Sequence, residues 1–278
     1  MLIETITSRS NPLVKRFIAA REGRDRQTMF IEGIRLVEEA VSSAIKLEAL
    51  AYSPRLPETA RGAALLSELQ HLPCRAARLT EDLMTYISDV ETAPGIIALG
   101  RRPVVALPDV GSHHPALFVL ADGLQSPGNL GALIRTAEAT AATGLLATLG
   151  TADPFQPKAL RAAAGSAFRL PIVTGESAAV WCQQLRRQGI RIVAADQRGD
   201  TPYDAFDWQP PTAIWLGSEG HGLASANGNA QTQCDARLTI PMHGRVESLN
   251  VAVAGALLLY EARRQRMQGQ SGRAQDAP

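Results

Sequence analysis

The stretch that most limits how this chain can fold runs from Leu238 to Ala262. A short apolar strand, Leu238 to Ile240, stops at Pro241. A loop containing Gly244 follows, and Ser248-Leu249-Asn250 then opens a helix that is apolar on nearly every side from Val251 to Tyr260. An all-round apolar helix belongs inside a protein. This one is too short for a bilayer, which takes ~20 apolar residues. Its polar mouth has two readings. Ser248 or Asn250 is an N-cap for the first free backbone N–H groups, which explains one polar residue better than two. Alternatively, strand end, loop and helix mouth together wrap a ligand.

Upstream, Ala116 to Ala121 is a continuous apolar run, the pattern of a strand covered on both faces. Similar runs follow at Leu145–Leu149, Ile190–Ala195 and Ala213–Leu216, separated by helical segments near Pro157–Ala164 and Ser177–Gln188. This alternation predicts an α/β domain with a parallel sheet and helices on both faces, over residues 116–267. Residues 1–100 read as a smaller α/β unit. Its elements are a helix over Leu13–Arg21, a strand at Met29–Ile31, a helix over Gly33–Ser43 and a strand at Leu47–Tyr52. The Pro-, Gly- and His-rich segment 101–115 reads as a linker, adjacent His113 and His114 included. Residues 268–278 have little to bury and are expected to be disordered.

Net charge is +1, so any nucleic-acid contact has to come from local clusters. Lys15, Arg16, Arg24, Arg26 and Arg35 form the candidate cluster, but Glu22, Asp25 and Glu32 are interleaved with them. Charge alone slightly favours an ordinary solvated surface. Cys74, Cys182 and Cys234 stand far apart without a CxxC pair, which argues against zinc and against a disulfide framework and fits a reducing, cytoplasmic setting. The first residues lack the basic segment and apolar run of a secretory signal.

Ligands of open α/β sheets gather at the carboxyl ends of strands, and three loops here leave strand ends. The first carries Asn129, Gly131 and Arg135. Arg135 is either a planar fork for phosphate or carboxylate or the partner of Glu138 or Glu219. The second, Leu216-Gly-Ser-Glu-Gly-His-Gly-Leu223, places Gly217, Gly220 and Gly222 around Glu219; it is neither a P-loop nor a GxSxG elbow. The third runs from Pro241 to Asn250. Asn129 as a cap and Glu219 in a plain turn are the bland alternatives.

Together the three loops resemble the three motifs of the SpoU/TrmH family of RNA ribose 2′-O-methyltransferases, within the SPOUT superfamily. The carriers are Asn129-x-Gly131-x-x-x-Arg135-Thr-Ala, Gly217-x-Glu219-x-x-Gly222 and Ile240-Pro … Ser248-Leu-Asn250. More loosely, Ser10-Asn-Pro-Leu-Val-Lys15 and Phe30-Ile-Glu-Gly-Ile-Arg35 resemble the RNA substrate-binding domain of ribosomal-RNA members. The resemblance implies a parallel-sheet domain with a deep trefoil knot, which general topology rules disfavour. It also implies S-adenosylmethionine as cofactor, held at Leu216, Gly217, Gly222, Ile240 and Leu249. The implied catalytic set is Arg135, Asn129, Glu219, Ser248 and Asn250, and the implied RNA-binding set is Lys15, Arg16, Arg24, Arg26 and Arg35. A homodimer without metal or membrane is expected, acting on ribosomal RNA ahead of transfer RNA. One departure is Ala163, where many relatives carry serine. The competing reading is a non-catalytic RNA-binding or assembly factor with the same fold, against which the intact polar set argues.

Overall fold

In the computed structural model, residues 4–107, 115–218 and 234–275 are described, 270–275 as helix backbone only. The elements in order are β1 (Glu4–Ile6), α1 (Pro12–Arg21), β2 (Thr28–Glu32), α2 (Ile34–Ser42), β3 (Leu47–Tyr52), α3 (Ala60–Leu69), β4 (Arg75–Leu79), α4 (Glu81–Ile87) and β5 (Ile96–Arg101). Then follow β6 (Leu117–Ala121), α5 (Pro127–Ala139), β7 (Gly144–Thr148), α6 (Pro157–Ala163), β8 (Ile172–Glu176), α7 (Ala178–Arg187) and β9 (Arg191–Ala195). The last are β10 (Thr201–Pro202), β11 (Thr212–Leu216), β12 (Ala236–Thr239) and α8 (Val251–Gln275).

These elements form two compact units. Unit 1 takes the chain up to Val104 together with Phe155–Phe168; unit 2 takes Val105–Pro154 and the chain from Arg169 onward. The sequence-based boundaries left 155–168 in the second domain. Two contacts within unit 1 account for its place there. Arg161 Nη2 lies 2.8 Å from Asp89 Oδ2 and Nη1 3.7 Å from Glu32 Oε2. Gly165, at φ +91°, also approaches Glu39 so closely that an added Cβ would stand 2.5 Å from its carboxylate.

Unit 1 is a mixed sheet in the order β1-β4-β3-β5-β2, with β1, β4 and β3 parallel and β5 antiparallel to both β3 and β2. Helix α1 begins where Asn11 Oδ1 accepts from Leu13 N–H at 2.8 Å and Pro12 fills the first helical position, where no N–H is missed. Its Val14 and Phe17 pack with Phe30, Leu79, Met84 and Ile87 in one core.

Unit 2 is a seven-stranded, all-parallel sheet in the order β10-β12-β9-β11-β6-β7-β8. Every residue of β6, β7 and β11 is buried, as strands covered on both faces must be. Helix α8 packs on α5 and β11. Gly255 permits this approach, because a Cβ there would meet Leu133 Cδ1 at 2.5 Å and Leu216 Cδ1 at 2.9 Å.

Two expectations for the C-terminal stretch are corrected. The apolar helix is not buried on all sides: Val251, Leu258, Leu259 and Ala262 face inward, whereas Val253, Leu257 and Tyr260 are 49%, 36% and 56% exposed. These three recur at i, i+4 and i+7 and form one stripe. The chain from 268 is also not all disordered, since α8 continues to Gln275. Its later turns dock on the loop before β11. Gln265 Oε1 accepts from Trp208 N–H at 3.1 Å, Gln209 Nε2 donates to Gln265 O at 2.6 Å, and Gly269 lies against Gln209. Among the described residues no helix is long and apolar enough to cross a membrane.

Candidate active site

The site is built at the carboxyl end of the unit 2 sheet. Strand β6 is followed by Asp122, which is buried and saturated with hydrogen bonds. Its Oδ1 accepts from Thr148 Oγ1 at 2.8 Å, its Oδ2 from Trp215 Nε1 at 3.1 Å, and its N–H donates to Leu216 O at 2.9 Å. The next residue, Gly123, donates its N–H to Thr148 Oγ1 and Thr151 Oγ1 at 3.2 and 3.0 Å. One carboxylate thus ties the ends of β6, β7 and β11, which holds the loops above them in register. Burying a carboxylate costs heavily unless it is hydrogen-bonded, so this bracing belongs to the architecture of the site.

Above it, Ser126 caps α5, accepting from Asn129 N–H at 3.3 Å. Asn250 caps α8, its Oδ1 accepting from Ala252 N–H at 2.9 Å. The same side chain reaches across the site: Asn250 Nδ2 donates to Asn129 Oδ1 at 3.0 Å, joining the first and third loops over a separation of 121 residues. Asn250 is therefore a helix cap through one end of its amide and a bridge to Asn129 through the other. Leu216 is buried at the end of β11, and Gly217 follows it half-buried. β9 pairs with both β11 and β12, so Gly217 and Ile240 flank its end, two strand spacings or about 10 Å apart. Ile240 and Leu249 are half-buried, while Pro241 through Ser248 are exposed. Half-buried apolar side chains beside strand-end backbone suit a flat, mostly apolar ring system such as adenine, so these residues fit S-adenosylmethionine.

Arg135 lies on the exposed face of α5. The bland partner Glu138 is engaged by Arg169, through a short contact at Nε and a 3.1 Å bond from Nη2 to Oε2. Arg135 makes no ion pair with any described residue. Glu219 and Gly222 lie outside the described residues, so the second loop is represented here by Leu216, Gly217 and Ser218. Ser248 is exposed beside the helix mouth. No cluster of His, Cys, Asp and Glu able to hold a metal occurs among the described residues.

In unit 1 the basic candidates separate by partner. Arg16 pairs with Glu48 at 2.7 Å and Arg24 with Glu22 at 2.5 Å. Lys15, Arg26 and Arg35 are exposed and make no ion pair with a described residue. Sequence reasoning missed Asp122, Thr148 and Trp215, which sit inside apolar runs where a polar network leaves no periodic signal. It also passed over Arg161, whose partners are 72 and 129 residues away.

Comparison with known proteins gives concordant results. The profile of the SpoU rRNA Methylase family matches residues 116–260, and that of the MRM3-like substrate binding domain matches 11–98. The 23S rRNA (uridine(2479)-2'-O)-methyltransferase of Streptomyces viridochromogenes is 33% identical over 276 residues, spanning 96% of this chain and 94% of that protein. The 23S rRNA (guanosine(2553)-2'-O)-methyltransferase RlmP of Bacillus subtilis is 32% identical over 251 residues, 90% of this chain and 94% of that one. The crystal structure of the SpoU methyltransferase AviRb from Streptomyces viridochromogenes, in complex with AdoMet, superposes with a TM-score of 0.82 at 30% identity, covering 92% of this chain and 98% of that chain.

Proposed function

The chain belongs to the SpoU rRNA methylase family, and from that premise we propose that Arg135 serves the transfer of a methyl group from S-adenosylmethionine to a ribose 2′-hydroxyl of ribosomal RNA. The observation that carries this reading is the Asn250–Asn129 hydrogen bond, which draws two motif-bearing loops together at the strand ends on the helix that carries Arg135. When bound, S-adenosylmethionine supplies an electrophilic methyl group on a sulfonium. Leu216, Gly217, Ile240 and Leu249 hold its adenosyl portion, with Gly222 completing the second loop. We read the chain from β12 to α8 as the threaded part of the family's trefoil knot.

A 2′-hydroxyl is a weak nucleophile until it is oriented and its proton is drawn away. A guanidinium gives up a proton with difficulty, so Arg135 acts as a cation: its fork takes the phosphate beside the target ribose and sets the oxygen in line, and an oxygen of that phosphate takes the hydroxyl proton as the methyl leaves the sulfonium. Asn129 and Asn250 hold the loop geometry, while Glu219 and Ser248 contact the ribose. Lys15, Arg16, Arg24, Arg26 and Arg35 lie on the RNA-binding unit, the unpaired Lys15, Arg26 and Arg35 carrying most of the phosphate contact. The two relatives act on a uridine and a guanosine, so the reaction centre reads the ribose rather than the base.

The exposed Val253, Leu257 and Tyr260 stripe on α8 supports a homodimer in which this face is covered by a second copy beside Arg135. Ribosomal RNA as substrate and three free cysteines support a cytoplasmic setting. The test is Arg135→Ala. Methyl transfer to ribosomal RNA should be lost, while S-adenosylmethionine binding measured by calorimetry stays within about twofold of wild type. Retained turnover would reject Arg135 as the reacting-centre residue.

A further inference from the structure

Unit 1 presents one aromatic side chain that neither its core nor the reaction uses. Tyr86, on α4, is 41% exposed, and the Arg9 guanidinium lies 4.2 Å from its ring centroid. Both are held on ordered backbone. Helix α4 is capped by Thr80 and anchored in the core by Leu83, Met84 and Ile87. Its far end is clamped by Arg21 Nη1, which donates to Tyr86 O and Ser88 O at 3.1 Å each. Arg9 sits in a tight turn closed by Asn11 N–H to Ser8 O at 3.2 Å and by a 2.8 Å contact between the Ser8 and Ser10 hydroxyls.

The chemistry of the pair is specific. Arg9 makes no ion pair with a described carboxylate. A guanidinium that lies over a ring still presents its N–H donors at the edge of its plane. The exposed pair therefore offers a π surface with phosphate donors along its border. A base takes the surface and its phosphate takes the donors, which is how single-stranded nucleic acid is held. Arg21 bonds the Tyr86 carbonyl at the same end of α4 as the ring, and Lys15 is exposed on neighbouring α1. A purely apolar partner would leave the Arg9 donors unmatched.

We propose that Arg9 and Tyr86 form a stacking site for one unpaired nucleotide of the RNA substrate, outside the reaction centre. The inference rests on the ribosomal-RNA reading and adds a contact that selects an unpaired base. The experiment uses the full chain without methyl transfer. Fluorescence anisotropy at two salt concentrations compares a fluorescein-labelled 12-nucleotide oligouridine with an RNA duplex of equal length.

Wild type should prefer the single strand. Tyr86→Ala should weaken single-strand binding on the order of tenfold and leave the duplex unaffected. Tyr86→Phe, which keeps the ring, should bind as wild type. Arg9→Ala should weaken both and lower the salt slope by about one phosphate contact. Equal single-strand affinity of Tyr86→Ala and wild type overturns the stacking site while leaving the methyltransferase reading intact. A Tyr86→Phe variant as weak as Tyr86→Ala also overturns it, since the hydroxyl and not the ring would then be the contact. Absence of binding of either RNA by wild type rejects the ribosomal-RNA reading along with it.

Discussion

Replacing Arg266 by alanine should be among the most damaging single changes to unit 2, although the residue is remote from the proposed chemistry. Its side chain is buried and donates to four backbone carbonyls and to no carboxylate. The acceptors are Pro115 O at 2.7 Å, Trp208 O at 2.8 Å, Pro210 O at 2.9 Å and Ala116 O at 3.2 Å. It therefore joins α8 to the start of β6 and to the loop before β11. Burial pushes the guanidinium down to about 10, with Arg191 and Arg263 adding to the shift, so it is still charged at neutral pH.

Each hydrogen bond to a charged donor is worth ~1.5–3 kcal/mol. Four of them total roughly 6–12 kcal/mol, against several kcal/mol for desolvating the cation. Alanine removes the charge and its penalty together, but it opens a cavity and leaves the Pro115 and Trp208 carbonyls unmet, while Ala116 O and Pro210 O keep only their bonds from Thr212. A net loss of about 3–5 kcal/mol follows, a large share of the 5–15 kcal/mol that holds a typical domain. Arg266→Lys keeps the charge but offers only three donors from a point, so it should recover less than half of the loss. Guanidinium denaturation followed by the fluorescence of Trp208 and Trp215, both buried in unit 2, reads the effect. An Arg266→Ala variant within about 0.5 kcal/mol of wild type would refute the reasoning, because unmet buried carbonyls cannot be that cheap.

Other expectations concern the site and unit 1. Gly255→Ala forces a Cβ into Leu133 and Leu216 and should cost ~1–3 kcal/mol; because Leu216 ends a strand proposed to hold the cofactor, calorimetry should show weaker S-adenosylmethionine binding as well. Asn250→Ser keeps a helix cap but loses the reach to Asn129, so thermal stability should hold within ~1 kcal/mol while methyl-transfer rates fall at least tenfold; equal losses in both would reduce Asn250 to a cap. Glu32 is buried, which raises its pKa despite the Ser88 and Asp89 bonds and the nearby Arg161. For an acid with a raised folded value, the ionised form costs stability above that value, and the cost disappears as pH falls toward the ordinary 4.5. The Glu32 contribution should thus improve on mild acidification. Glu32→Gln should flatten the difference in unfolding midpoint across that window, and an unchanged pH profile would reject the assignment.

Much of unit 2 was readable from the sequence because strands covered on both faces appear as unbroken apolar runs. The expected strand at Leu145–Leu149 shifts by one to Gly144–Thr148, since exposed Leu149 already belongs to the loop. Strand β8 was missed: Ile172–Glu176 lies at the sheet edge with only its first residue buried. In unit 1, β4 reads Arg-Ala-Ala-Arg-Leu, too polar and alanine-rich to announce a strand, and its identity comes from pairing with β1 and β3. The site followed the same rule. Motif residues at strand ends were visible, whereas Asp122, whose role consists of contacts to Thr148 and Trp215, became visible only once β6, β7 and β11 were side by side. The five basic candidates in unit 1 were legible as charges, but whether a carboxylate already neutralised each was not.

Methylation of a ribose oxygen leaves a signature in the RNA itself. A 2′-O-methyl group blocks alkaline cleavage at the following phosphate, so the most direct measurement incubates the purified protein with ribosomal RNA from a strain lacking it and S-adenosylmethionine labelled in its methyl group. After alkaline hydrolysis, the label should be found in alkali-stable dinucleotides, and Arg135→Ala should leave them unlabelled. Label released in mononucleotides, meaning transfer to a base, or no label at all, would contradict the account.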